Sequence, residues 1–366
     1  MHLATNLRSA LLFLLGLTAC AAAPGPAAEA PYLLGVHIAE TARPANFLEQ
    51  LDRAAELGAR AVRVPVDWAA LEPDQKGRLD AAYLSEVRDR FLRAERLGLA
   101  AVLLLSQSPA WANGNAEPPY PPKPEHYADF ADALVRLVEA VGPERIAAVE
   151  VWNEPNSIEF WGYVKPREGT FVLVPLDYAR EYASLLNAAY DAMKRRFPEL
   201  PVLGGSLASA DTAYLDAMLA AAARFDHLAV HPYAGPDERE GPHYGRAQYP
   251  DQCNEEDPLT PPWCFEQGLR GLRAFLDARG RAETELWITE FGVGSSAEWG
   301  DAGSEAEQAK HLRIALGLLN GGLARELRIP VALWYRLRDE GEDRFGLYRE
   351  DGRLKPAGAA FKELAP

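Results

Sequence analysis

Cysteine is scarce, three in 366 residues. That excludes a small disulfide-built scaffold, and no Cys/His spacing suits zinc. Long apolar runs are missing too. The N-terminal run, Ala10 to Leu17, falls well short of the ~20 residues a membrane-crossing helix needs. Positive charge is in deficit, with 38 Lys and Arg against 53 Asp and Glu and a net charge of −15. Phosphate backbones would be repelled, so nucleic acid is not a partner, and a strongly anionic polymer is disfavoured. A Gly-rich phosphate turn is absent where the first strand ends in Gly35-Val36-His37. That argues against an open dinucleotide-binding sheet. Nothing calls for a cofactor or a metal.

What is present describes a globular protein with a large core: 48% hydrophobic and 25% charged residues. Arg8 followed by the short apolar run is the pattern of a secretory signal. Its end, Leu17-Thr18-Ala19-Cys20, resembles the bacterial lipoprotein signal. The resemblance implies a signal peptide over residues 1–19 and a lipid on Cys20, the mature N-terminus. It also implies an exported protein held on a membrane, in the periplasm or at the cell surface. An ordinary signal peptide cleaved nearby is the plainer alternative. Residues 20–31, rich in Ala and Pro, then form a tether. In an oxidising compartment Cys253 and Cys264 are expected to bridge and stiffen one loop; otherwise they are two free thiols.

From residue 32 the chain alternates apolar runs with helical periodicity. Strands are expected at Tyr32–Ile38, Ala61–Val66, Leu99–Leu105, Ile146–Val151, Pro201–Ser206, His227–Val230, Glu285–Glu290 and Ile329–Tyr335. Helices fall between them, over Ala45–Leu57, Asp80–Leu97, Glu125–Ala140, Asp177–Phe197, Asp211–Arg224, Phe265–Arg279 and Glu305–Leu319, with a last one over Lys355–Leu364. No two strands are joined by a hairpin-length link. Alternation of this kind gives parallel strands with crossover helices, and eight such units close into a (β/α)8 TIM barrel over residues 32–366.

Active sites of this barrel lie at the C-terminal ends of the strands. One apolar run stops at Trp152-Asn153-Glu154-Pro155-Asn156, where Pro155 is expected to end the strand. The punctuation returns in Trp287-Ile288-Thr289-Glu290-Phe291-Gly292. Two glutamates at two parallel strand tips suggest glycosidic-bond chemistry, one protonating the leaving oxygen and the other attacking the sugar carbon. His37, Arg63, Trp111, His231, Tyr233 and Trp334 stand at other strand tips, and Trp161 in the long loop after the fourth strand. Indoles suit the C–H faces of a sugar. Glu150 falls inside the barrel or against a helix by alternation and is left out of the site. Asp67 reads as a turn cap.

The Trp-Asn-Glu-Pro-Asn and Trp-Ile-Thr-Glu-Phe-Gly stretches resemble clan A of the retaining glycoside hydrolases, and within it family 39. The resemblance covers about residues 32 to 365. It implies Glu154 as acid/base and Glu290 as nucleophile. It implies that Asn153 holds a sugar 2-hydroxyl, that Tyr233 and Arg63 support the nucleophile, and that Trp334 floors the subsite. His37, Trp111 and His231 would line it, and Trp161, as an indole, suits the same cleft. The substrate is then a poly- or oligosaccharide. Two other readings use the same pocket: a transglycosylase, and a non-catalytic carbohydrate-binding barrel serving polysaccharide assembly or export.

Overall fold

The structure is a computed structural model. It describes residues 32–38, 46–114, 120–162, 174–233, 265–295, 303–341 and 344–366. The signal, Cys20, the tether, Cys253 and Cys264 lie outside the described residues. One compact unit, Pro31–Pro366, carries the barrel.

Eight strands close on themselves in chain order, every neighbouring pair parallel: β1 (Leu33–His37), β2 (Ala61–Asp67), β3 (Ala100–Ser106), β4 (Ala148–Val151), β5 (Val202–Ala208), β6 (His227–His231), β7 (Leu286–Phe291) and β8 (Val331–Tyr335). The crossover helices are α1 (Phe47–Glu56), α2 (Ala81–Arg96), α3 (Tyr127–Val141), α4 (Tyr178–Arg196), α5 (Thr212–Ala220), α6 (Phe265–Ala278) and α7 (Glu305–Leu318). After β8 comes α8 (Pro356–Leu364). Acidic and hydroxyl side chains start several of them. Asp80 accepts the Tyr83 amide at 2.7 Å, Asp211 that of Tyr214 at 2.9 Å, and Ser304 that of Glu307 at 3.1 Å. Each such cap is worth about 1 kcal/mol. No helix among the described residues is long and apolar enough to cross a membrane.

Strand alternation divides the side chains into two cores. Leu34, Val36, Val62, Val64 and Val66 point outward into a continuous apolar layer shared with the helices. Leu33, Val102, Ala148, Leu203, Ala229 and Leu333 point inward and fill the lower barrel. Gly35 falls in that inner row by alternation, and glycine is required there because a Cβ would lie 1.9 Å from the Ala61 carbonyl oxygen. One pleat higher the inward row turns polar, beginning with His37 and Arg63, which lie side by side in the β1–β2 register.

Two strand ends are shaped by unusual backbone. β4 stops at Val151, well before Pro155, because Trp152 takes a left-handed backbone (φ 69°) that no strand continues. β5 runs on to Ala208 through an irregularity between Gly205 and Leu207, where Gly205 supplies φ 95°.

Candidate active site

The stretch after β4 is wound tightly and pinned. Trp152 and Glu154 both have positive φ, 69° and 41°. The Glu154 amide donates to the Ser206 carbonyl at 3.1 Å, and the Tyr214 hydroxyl donates to the Pro155 carbonyl at 2.9 Å. Asn156, wholly buried, staples this corner to the end of β5. It donates to the Ala208 carbonyl and accepts the Ala208 amide, both at 2.9 Å. Glu154 is thereby turned inward at 8% exposure.

Glu290 arrives differently. The β7–β8 register slips between Ile288 and Phe291. A slip of this kind lets consecutive residues share one face, and Thr289 and Glu290 both reach partners inside the barrel mouth. One oxygen each of Glu154 and Glu290, with a ring nitrogen of His231, lie within 4.8 Å of one another. The two carboxylates of the sequence reading therefore lie together at the barrel mouth.

Their surroundings are unlike. Glu290 accepts the Tyr233 hydroxyl at 2.7 Å and, on its other oxygen, a guanidinium N–H of Arg63. His37 Nδ1 stands 3.7 Å from it. Glu154 meets His231 Nδ1 at 2.8 Å. Arg63 is 1% exposed and serves four groups, lying also at 2.6 Å from Glu150, 2.8 Å from the Asn153 side-chain oxygen and 3.3 Å from His37 Nδ1. With its oxygen accepting from Arg63, Asn153 keeps its NH2 as a donor for a ligand. Burial opposes the charge of Arg63, but Glu150 and then Glu290 outweigh it and hold the group above the usual arginine range. Burial, followed by the charge of Glu290, keeps the Tyr233 phenol protonated far above its ordinary value, so it remains a donor. Burial, with Arg63 and His37 adding to it, holds His231 well below the usual histidine range and hence neutral.

The Glu154, His231 and Glu290 atoms are close enough to surround one cation, but the setting does not suit one. Both Glu290 oxygens are engaged, and the neighbour on one of them is a guanidinium. Contrary to the sequence reading, a His-x-x-x-His is present, His227 and His231, the spacing of zinc ligands on a helix; on β6 they stand ~13 Å apart along the strand, too far to share an ion.

Two expected tryptophans do not face the mouth. Leu333 and Tyr335 point inward on β8, so alternation sends Trp334 outward. It lies 5.4 Å from the Phe291 ring and donates its N–H to the Phe345 carbonyl at 3.0 Å. The inward aromatic at that tip is Tyr335, edge-on to His37 at 5.3 Å and to Tyr233 at 6.2 Å, with Phe345 beside it at 5.4 Å. Trp161 is wholly buried between Trp152 and Tyr182, because the short helix Ile158–Trp161 folds back onto the helix layer. Trp111 is half-buried in the loop after β3, its N–H tied to the Glu72 carbonyl at 2.8 Å.

Glu150 is the residue that sequence reasoning passed over. It is fully buried and accepts from Arg63, from Ser206 at 2.6 Å and from Thr289 at 2.7 Å. The signal was available: a carboxylate inside a barrel must have partners, and Arg63 was the cation at hand.

No protein-family model matches the chain, and no curated protein matches it by sequence. Solved structures do match its fold. A family 39 glycoside hydrolase from the gut symbiont Bacteroides cellulosilyticus WH2 superposes with a TM-score of 0.68 at 22% identity, over 91% of this chain and 63% of that one. A family 39 enzyme from Xanthomonas axonopodis pv. citri gives 0.65 at 18%, over 91% and 66%. A monomeric beta-xylosidase from Caulobacter crescentus CB15 gives 0.65 at 18%, over 91% and 68%. The chain thus spans a little under two thirds of the first of these, and it shares their (β/α)8 barrel fold.

Proposed function

We propose that this chain is a retaining glycoside hydrolase in which Glu290 is the nucleophile and Glu154 the acid/base. The observation that carries the reading is that one oxygen of each carboxylate lies within 4.8 Å of the other. Retaining enzymes hold their carboxyls about 5–5.5 Å apart, whereas inverting ones leave room for a water at about 6.5–9.5 Å. The names of the structural neighbours, among them a beta-xylosidase and a family 39 glycoside hydrolase, support a carbohydrate substrate with β-linked sugars.

The asymmetry of the pocket supports the division of roles. Glu290 accepts from a guanidinium and a phenol, so it is the carboxylate that attacks the anomeric carbon. Glu154 gives its proton to the glycosidic oxygen as the C–O bond breaks, leaving a glycosyl ester on Glu290. A water then loses a proton to the Glu154 carboxylate and attacks the same carbon, and the Glu290 ester bond breaks. The Asn153 NH2 is the donor for the sugar 2-hydroxyl. Tyr335 and Phe345 replace the expected tryptophans as the aromatic wall. Export and lipidation at Cys20, and a Cys253–Cys264 bridge, belong to the same proposal; the signal-like N-terminus supports them. Mass spectrometry of the protein purified from membranes, with and without reductant, tests both.

The decisive experiment is a screen of aryl β-glycosides and bacterial polysaccharides, with the anomer of the first product read by NMR. Retention together with loss of turnover in Glu290→Ala is expected. An inverted product, or glycans that bind and are never cut, would overturn the assignment.

A further inference from the structure

The carboxylate below the pocket is joined to the acid/base by an unbroken chain of hydrogen bonds. Glu150 Oε1 lies 2.7 Å from Thr289 Oγ1, Thr289 Oγ1 lies 3.1 Å from His231 Nε2, and His231 Nδ1 lies 2.8 Å from Glu154 Oε1. Glu150, Thr289 and His231 are all fully buried, so no solvent enters the chain along the way.

We infer that Glu150, acting through Thr289 and His231, fixes the proton of the acid/base on Glu154; the inference rests on the glycosidase reading only for its catalytic consequence. The direction of each bond follows from counting protons. Glu150 is surrounded by donors: Arg63 on Oε2 at 2.6 Å, Ser206 and Thr289 on Oε1. A carboxylate paired with a guanidinium only accepts. The single Thr289 hydroxyl proton therefore points to Glu150, leaving its oxygen to accept from His231. The imidazole N–H is spent on Nε2. Nδ1 then carries a lone pair, and a hydrogen bond at 2.8 Å exists only if Glu154 brings the proton.

A doubly protonated His231 would reverse the last bond; Glu290 Oε2 and Glu150 Oε1 stand 3.6 and 4.0 Å from its ring nitrogens, but burial first, then Arg63 and His37, holds the ring well below the usual histidine range and hence neutral. The other charged and titratable groups around Glu154 fit the same assignment. Glu290 on β7 is within 4.8 Å, Tyr233 after β6 is held as a donor to Glu290, and Arg63 on β2 faces Glu290 and Asn153 rather than Glu154. A proton on Glu154 leaves Glu150 and Glu290 as the two carboxylates sharing one guanidinium. During turnover the Glu154 carboxylate faces a lone pair, which favours recapture of a proton from the incoming water. Thr289 and Glu150 are thus positioning residues, acting through His231.

Nitrogen-15 NMR of the histidine-labelled full-length protein, with His231 assigned by triple resonance, reads the tautomer directly. The proton is expected on Nε2 in the parent and on Nδ1 in Thr289→Val, with Thr289→Ser restoring Nε2. A parent ring carrying its proton on Nδ1, or on both nitrogens, overturns the inference without any variant. A Thr289→Val ring unchanged from the parent overturns the part played by Thr289. On a glycoside with a poor leaving group, the alkaline limb of kcat/KM in Thr289→Val is expected to move acidward by roughly one pH unit, while Thr289→Ser keeps the parent profile. Superimposable profiles for parent and Thr289→Val overturn the catalytic consequence. Failure of the parent to cleave any glycoside refutes the proposed function, and the NMR result decides the proton chain regardless.

Discussion

The lower and upper halves of the barrel interior are built from the same strands, one pleat apart, and they obey opposite rules. Below, Leu33, Val102, Ala148, Leu203 and Leu333 make an apolar plug. Above, Arg63, Glu150, Ser206, His231, Thr289 and Glu290 are equally buried and almost wholly polar. An interior built for stability would continue the branched apolar layers upward. Replacing buried ion pairs by apolar residues is often neutral or stabilising, so the upper half is poorly explained as a device for holding the fold together. The contrast teaches that chemistry-bearing residues here are set by the height of a position along the strand as much as by its inward direction.

The contrast is broken most severely by Glu290→Ala, expected to lower kcat on an aryl glycoside by at least about 10⁴-fold while the thermal midpoint changes little. Glu154→Ala follows, with a loss of roughly 10²–10⁴-fold for a poor leaving group and little loss in the first step for an activated one. Comparing dinitrophenyl with methyl glycosides measures this. Arg63→Met strands two buried carboxylates and is expected to cost about 3–5 kcal/mol in denaturant unfolding as well as activity. Leu203→Ala, in the lower half, sharpens the comparison. It should cost ~2–5 kcal/mol in the same unfolding experiment and leave kcat per folded molecule as it was.

The smallest effect concerns Asp67 at the upper end of β2. Burial pushes its carboxyl up to about 6, with Arg90 opposing. The folded chain therefore keeps a proton that the unfolded chain releases near about 3.9. Stability is greatest below the unfolded value and falls as pH rises through the folded one. Asp67→Asn is expected to raise stability by ~1 kcal/mol at pH 7 and by almost nothing at pH 4; the figure is modest because the side chain is partly exposed. Paired unfolding curves at the two pH values check it.

Much of the barrel was legible because its punctuation is local. Asp80 and Asp211 announce helices, Gly58 and Gly98 close them, and each apolar run between is short enough to be a strand. His37, Arg63, Asn153, Glu154, His231, Tyr233 and Glu290 come from five strands and the turns after them, and the shared position at strand ends was enough to gather them. Trp334 was misplaced by one residue of alternation, the shift that exchanges the two faces of a strand. Trp161 was misplaced because a loop aromatic has no periodicity to orient it. Glu150 could be sent into the barrel by alternation, but its partners Ser206 and Thr289 reach it through irregularities in β5 and β7 that no pattern announces.

The corner that presents Glu154 is wound against the natural hand of L-amino acids at two residues, Trp152 and Glu154, neither of them glycine. Such a posture costs on the order of 1–3 kcal/mol per residue and persists only while its clasps hold. The clasps are hydrogen bonds to neighbouring elements, among them those of Asn156, the Tyr214 hydroxyl and the amide to Ser206. Warming should spring this corner open while the eight strands remain closed. Catalysis would then fade several degrees before the protein melts, and cooling from that interval would bring it back.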